Sequence, residues 1–282
     1  MAWTDPSLTN VPIKAMHIAE LRDKYDNLRK ALTENITITV GNNGDFSTIN
    51  SALAYVVSKY YPVYLSTGTV PRVTIQLLSG FVMNEQVLVK SLDLSWITIT
   101  GVDAKTVINR SALTTSWGIG VEIGYPAFGV MNGGFLPIIG QLFDMDTSDT
   151  ASDRHGILAY SNSRAIVLDG YGVKNAGYNG IYAAYGSTIN ANGADASGAG
   201  SYGIYVSHGS TINADGADAS RAGSYGIYAA RSSTINANGA NASGARDYGI
   251  YVAYGSLISA IDATGMLSQT KNTLTANGII FQ

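Results

Sequence analysis

The chain has 282 residues, including 32 glycines and 18 tyrosines but no cysteine, and only 13% of them are charged. Zero cysteines exclude disulfides and thiolate metal sites. The formal net charge of −3, without a Lys/Arg cluster, argues against nucleic acid as a partner. No apolar run approaches membrane-spanning length, so we expect no membrane insertion. The first residues lack a signal-peptide layout, which favours assembly in a cytoplasm and release by lysis.

Residues 11–32 have helical periodicity, because apolar residues recur at spacings of three and four. Those residues are Val11, Ile18, Leu21, Tyr25, Leu28 and Leu32. Pro12 suits the first helical turn, and Asn10 can cap it. Residues 1–34 are therefore predicted to form a helical stem that attaches the chain to its partners. The alternative is a helix packed on its own β-domain, since two to three heptads make only a weak coiled coil.

Residues 35–155 are predicted to form an entrance of irregular strands with one capping helix. Residues 36–40 alternate as a strand, and further strands are predicted at 73–77, 86–89 and 96–101. Between them, Ser47 is the expected cap of a helix whose apolar side chains plug the open end of the first coil. Those side chains are Ile49, Leu53, Tyr55, Val56 and Val57.

The densest acidic stretch of the chain closes this entrance. It contains Asp144, Asp146, Asp149 and Asp153, followed by Arg154 and His155. Paired carboxylates can act as acid and base on a glycosidic bond, or can bind a hard cation together with the histidine. The simpler interpretation is a solvated loop in which Asp and Ser stabilise turns. The spacing matches no calcium-loop pattern, and we expect no metal or cofactor.

A 23-residue unit is repeated at residues 180–202, 203–225 and 226–248, and a fourth copy begins at Gly249. The same register extends back to Gly156 and forward to Gly278, where we expect the Gly-Ile pattern to restart. Alternating apolar and polar residues indicate strands, and three glycines divide each unit into three of them. We therefore predict an all-β fold: a right-handed parallel β-helix with 23-residue rungs over residues 156–282 and a short N-terminal helical stem.

The period predicts columns of equivalent residues along the helix axis. Isoleucines are expected inside, in two columns: Ile181, Ile204, Ile227 and Ile250, and Ile189, Ile212 and Ile235. Polar columns are expected outside: Asp195 with Asp218 and Asn241, Asn192 with Asp215 and Asn238, and Asn190 with Asn213 and Asn236. Stacked amides of this kind satisfy one another's hydrogen bonds along the axis, so we interpret these outer columns as structural.

Tyrosines form two further outward columns. The first contains Tyr182, Tyr205, Tyr228 and Tyr251, and the second Tyr202, Tyr225 and Tyr248. A neighbouring column of Tyr185 and Tyr254 is interrupted by His208 and Arg231 and is expected to face solvent. Three interpretations remain open for the tyrosines: a trimer interface, a platform that binds sugars, or exposed β-forming residues. The candidate binding residues are Tyr182, Tyr205, Tyr228, Tyr251, Tyr185, His208 and Arg231.

About 75 residues of the entrance resemble the start of pectin-methylesterase and pectate-lyase-like β-helices. The resemblance rests on the turn Gly44-Asp45-Phe46-Ser47-Thr48-Ile49, the helix after it, and a strand that ends in Ile99-Thr100-Gly101. It implies the architecture of those proteins. The catalytic Gln, paired Asp and Arg motifs of the esterases have no counterpart downstream, so their activity is not implied.

A second resemblance covers more of the chain. Trp3-Thr4-Asp5-Pro6, the following helix, and the run from Gly172 to Gly177 that leads into the repeats are similar to bacteriophage tail-fibre and tailspike proteins of the β-helix type. That resemblance implies a homotrimer in the virion tail, attached to other tail or baseplate proteins through residues 1–34. It also implies binding of host surface polysaccharide, with or without cleavage.

Two classes of function therefore stay open. One is a non-catalytic receptor-binding fibre, which the repeats, the stem and the lack of a catalytic motif favour. The other is a polysaccharide depolymerase that uses carboxylates near residues 144–153. A bacterial surface adhesin is the third possibility. Such a protein is expected to carry an export signal, and the first residues of this chain lack that layout. We assign no catalytic residue, and the chain is more simply explained as a binding protein than as an enzyme.

Overall fold

The computed structural model describes residues 28–119, 122–148, 153–265 and 278–281. In chain order, its first elements are β1 (Lys30–Leu32), β2 (Ile36–Val40), α1 (Ile49–Lys59), β3 (Tyr60–Pro62), β4 (Val73–Leu77), β5 (Val82–Met83), β6 (Val87–Lys90), β7 (Ile97–Gly101), β8 (Thr106–Ile108), β9 (Trp117–Ile119), β10 (Glu122–Met131), β11 (Ile138–Gly140) and β12 (Leu142–Met145). The later elements are β13 (Arg154–Tyr160), β14 (Arg164–Ile166), β15 (Gly172–Lys174), β16 (Ile181–Ala184), β17 (Thr188–Asn190), β18 (Tyr202–Val206), β19 (Thr211–Asn213), β20 (Tyr225–Ala229), β21 (Thr234–Asn236), β22 (Tyr248–Val252), β23 (Leu257–Ser259) and β24 (Ile279–Phe281).

The fold is the predicted right-handed parallel β-helix, and its coil has three faces. Face 1 contains β2, β4, β7 and β11 and continues, through bridges at Phe135 and Ile139, into β14, β17, β19, β21, β23 and β24. Face 2 contains β5, β8, β12 and β15, and face 3 runs from β6 through β10, β13, β16, β18 and β20 to β22. The apolar interior is one continuous cluster along the axis.

The predicted register of the repeats is confirmed. Ile181 pairs with Ile204, which pairs with Ile227 and then Ile250, and all four are fully buried. The isoleucines at 189, 212 and 235 form the second inner column on face 1. The third strand of each unit is shorter than predicted, because face 2 continues past β15 only as single bridges at Asp195, Asp218 and Asn241.

The glycine that opens each unit is required by close packing inside the coil. A Cβ on Gly203 would lie 2.7 Å from the carbonyl oxygen of Gly226 and 2.8 Å from the Cβ of Ala219, and Gly180 and Gly226 have the same surroundings. Both separations are shorter than real Cβ atoms tolerate. The corner glycine Gly216 has a different role, since its φ of 68° is the left-handed region.

Buried serines form a ladder at the corner between faces 3 and 1. The Oγ of Ser187 accepts a hydrogen bond from the backbone N–H of Ser163, one rung earlier, and Ser210, Ser233 and Ser256 repeat the contact. Ser163 therefore lies in the same register as the repeat serines. Each ladder bond satisfies a backbone donor that would otherwise be buried without a partner.

Helix α1 packs on the first coil as predicted, but two details of the prediction are wrong. Its N-cap is Thr48, not Ser47, and the Thr48 side chain accepts a hydrogen bond from the N–H of Ser51. Tyr55 is 38% exposed rather than part of the plug. The carboxylate of Glu85 adds a second cap, because it accepts from the N–H groups of Ile49 at 2.6 Å and Asn50 at 3.1 Å. An anion at this end of a helix is favourable.

Both ends of the described chain correct the sequence prediction. Residues 30–32 belong to strand β1, which pairs with β3, and Leu32 is buried in the core rather than in a helical seam. The rest of the predicted stem lies mainly outside the described residues. Near the C-terminus, β24 pairs with β23 on face 1, so the Gly278 segment does not restart face 3. Ile280 aligns with Ile258, which gives it a buried position in the face-1 column.

In the part of the chain that the structure describes, no helix has the length and apolar character needed to cross a bilayer. The domain limits at residues 34/35 and 155/156 stay predictions.

Candidate functional site

The outward surface of face 3 carries both tyrosine columns, and we call it the tyrosine face. Strand pairing places Tyr182, Tyr205, Tyr228 and Tyr251 in one register. The second column, formed by Tyr202, Tyr225 and Tyr248, is paired in the same way. The first column follows from the alternation of each strand, since the isoleucine before each tyrosine points inward and the tyrosine must then point outward.

The tyrosine rings stack on one another along the axis. The Tyr182 and Tyr205 ring centroids are 4.5 Å apart at 18°, and those of Tyr205 and Tyr228 are 4.8 Å apart at 12°. Near the last rung the order changes, because Tyr251 stacks on Tyr225 of the other column at 4.5 Å and 9°. The ring faces are therefore covered within the chain. What remains for a ligand is mainly ring edges and hydroxyl groups.

Tyr182 was expected to be exposed with the rest of its column, and that expectation is wrong. It is 4% exposed, because Tyr160 and Tyr205 pack against its ring, and its hydroxyl lies 3.0 Å from the Oγ of Ser207. Tyr205, Tyr228 and Tyr251 are partly buried. The accessible part of this column therefore begins at Tyr205.

Burial favours the protonated hydroxyl of three tyrosines on this face. It raises the pKa of Tyr228 strongly, and the neighbouring Tyr205 and Tyr202 add to the effect. Burial also raises the pKa of Tyr202 and Tyr225. A protonated phenol both donates and accepts a hydrogen bond, so these tyrosines present a row of neutral polar groups at the spacing of the rungs.

The neighbouring column lies at a corner with left-handed backbone. Tyr185, His208, Arg231 and Tyr254 have φ between 52° and 56°. Tyr185 stacks on His208 with centroids 4.3 Å apart, and Nη1 of Arg231 lies 3.0 Å from Nε2 of His208. Tyr254 is 63% exposed. The expected solvent-facing corner is thus present, although Tyr185 and His208 are partly buried.

The acidic stretch is not one solvated loop, because Asp144 lies in β12. Its carboxylate pairs with Lys105 at 2.7 Å and Lys174 at 3.6 Å and accepts from Asn175 at 2.7 Å. Burial alone would raise the pKa of Asp144, but these contacts outweigh it and lower that pKa.

The remaining acids have separate structural partners. Asp146 accepts two hydrogen bonds from Ser148, which lower its pKa and close a turn. Asp153 pairs with Arg154, whose guanidinium lies 4.4 Å from the centre of the Tyr125 ring. Asp149 lies outside the described residues. The structure therefore brings no pair of these carboxylates together in a catalytic arrangement among the residues it describes.

His155 is part of the aromatic packing beside the tyrosine face. It is 5% exposed, its ring lies 5.2 Å from that of Tyr178 and 6.1 Å from that of Tyr182, and a Cβ on Gly124 would overlap it. Burial lowers the pKa of His155 from 6.5 to about 4, against the opposing charge of Asp153. Within the described residues, no three His, Asp or Glu side chains are arranged to hold a metal ion.

Two of the three outer amide columns contain side-chain hydrogen bonds between rungs, but their donors differ from those expected. In the third column, the Oδ1 of Asn213 has no hydrogen-bond partner, so the expected ladder through Asn190, Asn213 and Asn236 is not formed there. The Oδ1 of Asn192 accepts from the backbone N–H of Asp215 at 3.1 Å, and Asp215 accepts from the N–H of Asn238 at 3.0 Å. Side chains therefore bond to the backbone of the next rung rather than only to one another. Asp218 accepts hydrogen bonds from the backbone N–H of Ser220 and from the side-chain amide of Asn241. These bonds offset the repulsion between Asp218 and the carboxylate of Asp195, one rung away.

Sequence reasoning did not find Trp117 or Tyr160. Trp117 belongs to the antiparallel β9–β10 hairpin and packs on the cluster of Leu158, Tyr160 and Tyr182 at one end of the tyrosine face. The rung period could not reveal these contacts because the hairpin precedes the repeats. The register was carried back to Gly156, but it did not reveal that Tyr160 packs on Tyr182.

The family model described as right handed beta helix region matches residues 145–280. This match covers the regular rungs and the end of the entrance, and it agrees with the parallel sheets of the structure. No curated protein matches the chain. The fold is of a kind found broadly in carbohydrate-binding and pectate-lyase-like proteins.

Proposed function

We propose that this protein is a bacteriophage tail-fibre or tailspike component that binds host surface polysaccharide through the tyrosine face. The observation that carries the proposal is the row of tyrosine edges and hydroxyls repeated on successive rungs of face 3. A polysaccharide repeats its hydroxyl groups along the chain, so a surface that repeats its own polar groups can contact several sugars at once. Neutral phenols suit such a ligand, since they donate and accept hydrogen bonds.

The assignment to a phage tail rests on the sequence resemblance. In that setting the chain forms a homotrimer, and the part of residues 1–34 that precedes β1 attaches it to other tail or baseplate proteins in the virion. The tyrosine face does not require a partner to cover its ring faces, because the rings already stack within one chain. The trimer therefore has to be supported by the stem and by tail symmetry. Light scattering should give about three times the 29.6 kDa chain mass, and a stable monomer at micromolar concentration would contradict it.

Polysaccharide cleavage is not part of the proposal. Acid/base catalysis needs two groups held together on a rigid scaffold, whereas Asp144 is paired with lysines and Asp146 closes a turn. Glycan cleavage that disappears in Asp146→Asn or Asp149→Asn would move the protein to the depolymerase class.

The direct test is a glycan array of bacterial O-antigen and capsular polysaccharides, incubated with the full chain. We expect binding to a small set of them, without release of reducing ends and without absorbance from unsaturated uronate. Absence of binding to every bacterial polysaccharide would contradict the proposed receptor-binding role. Binding accompanied by new reducing ends or by uronate absorbance would support receptor recognition, but it would show that the protein is a polysaccharide depolymerase.

A further inference from the structure

A cleft lies on the entrance, away from the tyrosine face, where residues before β1, after α1 and before β7 meet. Its volume is about 450 Å³, which lies in the range of small-molecule sites. Most of the lining is apolar. The buried Leu94 and Trp96 line it together with the exposed Leu92 and Tyr64 and with Val57 of helix α1.

Two arginines give this apolar cleft a positive charge. The guanidinium of Arg29 donates through Nε and Nη2 to the backbone oxygen of Tyr60, at 3.1 and 2.9 Å. The guanidinium of Arg72 donates through Nη1 to the backbone oxygen of Ser95 at 3.0 Å. Both acceptors are neutral, and no ion pair joins either arginine to a carboxylate among the described residues. Neutral acceptors therefore hold both side chains in place, without a carboxylate ion-pair partner among the described residues.

The acid in the cleft lining offsets at most one of these two charges. Asp93 directs its carboxylate to the backbone N–H of Ser95 at 2.9 Å. Two cations and one anion leave an excess positive charge beside an apolar wall. The indole N–H of Trp96 is also satisfied, since it donates to the backbone oxygen of Asp93 at 3.0 Å. The tryptophan therefore adds apolar surface to the cleft and leaves the arginines as its anion-binding groups.

We propose that this cleft binds a small amphipathic anion, in which an apolar body carries one carboxylate, phosphate or sulfonate group. The apolar body would pack on Trp96, Leu92 and Tyr64, and the anionic group would bind the remaining N–H donors of Arg29 and Arg72. Guanidinium groups suit this role because they are always charged and match the geometry of oxyanions. The site is independent of the proposed glycan-binding function, since it lies on a different part of the coil.

The test uses two fluorescent probes of similar apolar size and different charge. Anilinonaphthalene sulfonate carries one sulfonate, and N-phenylnaphthylamine is neutral. We expect the sulfonate probe to bind the full chain saturably with one site per chain. Arg29→Gln and Arg72→Gln should each weaken that binding about tenfold and leave the affinity of the neutral probe unchanged.

Matched controls separate this site from general surface binding. Arg164→Gln removes an exposed arginine from face 1, and it should leave the sulfonate probe unaffected. Leu92→Asp places a negative charge at the cleft and should abolish sulfonate binding, whereas Leu168→Asp, at a similarly exposed leucine elsewhere, should not. Unchanged melting temperatures would verify that these exposed substitutions leave the fold intact.

Two results would overturn the proposal. One is sulfonate binding that is absent or not saturable in the wild-type chain. The other is binding that responds to Arg164→Gln as strongly as to Arg29→Gln and Arg72→Gln, or that survives Leu92→Asp.

Discussion

The regular rungs and the entrance use the same coil but fill it differently. In the rungs, each interior column repeats small or medium residues, such as Ile204 with Ile227. In the entrance, coil lengths vary and the core contains large, mixed side chains. Phe128 and Phe143, for example, pack with centroids 4.9 Å apart at 60°.

This difference extends to the outer surface. A constant period aligns the tyrosines of successive rungs, whereas the entrance has no equivalent column among its described residues and instead leaves a cleft around Trp96. A repeated surface suits a repeating polymer, and an isolated cleft suits one small molecule. The two regions are therefore expected to respond differently to substitution, in stability as well as in binding.

The largest expected effect comes from a charge in the repeated interior. Ile204→Asp would bury a carboxylate between Ile181 and Ile227, where the described core offers no polar partner, and should destabilise the chain by about 4 kcal/mol or more. Thermal unfolding followed by circular dichroism measures it. Thr211→Asp, exposed on face 1 of the same coil, is the control and should change stability by less than about 0.5 kcal/mol. Equal melting temperatures for both variants would mean that the inward and outward assignments are reversed.

The next effect is a pH dependence at the junction of the two regions. The folded-state pKa of His155 is about 4, below its ordinary 6.5, so the unfolded chain binds a proton in that interval before the folded chain does. Stability should therefore fall as the pH drops from 6.5 towards 4, by up to about 3 kcal/mol. Tyr178 and Tyr182 contact the ring, and Asp153 is the charged group that acts on it.

His155→Phe keeps a ring between the tyrosines and removes this titration. Denaturant unfolding of both proteins at neutral and acidic pH should show a smaller loss of stability in the variant. If wild type and variant lose stability in parallel, the buried neutral histidine is not the cause.

A smaller loss of stability is expected when a side chain is added to the glycine column of the rungs, which the entrance does not share. Gly203→Ala should cost about 2 kcal/mol, because its Cβ would meet backbone and side-chain atoms of the neighbouring rung. The entrance positions of the same column are Gln86 and Ala127, which have side chains.

Gly216→Asn is the control for this substitution. The space that a Cβ would occupy at Gly216 is open, and asparagine adopts the φ of this corner, so denaturant unfolding should show little change. If Gly203→Ala changes the free energy of unfolding as little as Gly216→Asn does, the close-packing explanation is contradicted.

The smallest expected effect lies on an outer amide column. Asn213→Ala should cost about 1 kcal/mol or less, since the Oδ1 of Asn213 makes no hydrogen bond in the described structure. Urea midpoints of the variant and wild type measure it. A loss comparable to that of Gly203→Ala would show that this column supports the coil as strongly as the interior does.

The sequence predicted what depends on the period and missed what depends on distant segments. The columns of Ile204, Tyr205 and Asn213 follow from 23-residue spacing and strand alternation. The burial of Tyr182 does not, because Tyr160 of an earlier coil and Ser207 of the next one cover it. The second cap of α1 was missed for the same reason, since Glu85 is 36 residues from Ile49.

The acidic stretch and the cleft also depend on long-range contacts. Asp144 was placed in a loop because its neighbours are turn-forming residues, but Lys105, 39 residues away, pairs with it on a strand. The cleft combines Arg29, Arg72 and Trp96 from three separate segments. Neither arrangement has a local pattern from which it could be predicted.

The most direct test of the central claim compares hydroxyl deletions on and off the tyrosine face. Tyr228→Phe removes one hydroxyl and keeps the stacked ring, whereas Tyr171→Phe does the same at an exposed tyrosine in a turn. Affinity is measured for the polysaccharide that binds best on the array. We expect Tyr228→Phe to weaken binding about tenfold and Tyr171→Phe to leave it unchanged. Equal affinities of wild type and both variants would contradict glycan binding through the tyrosine face.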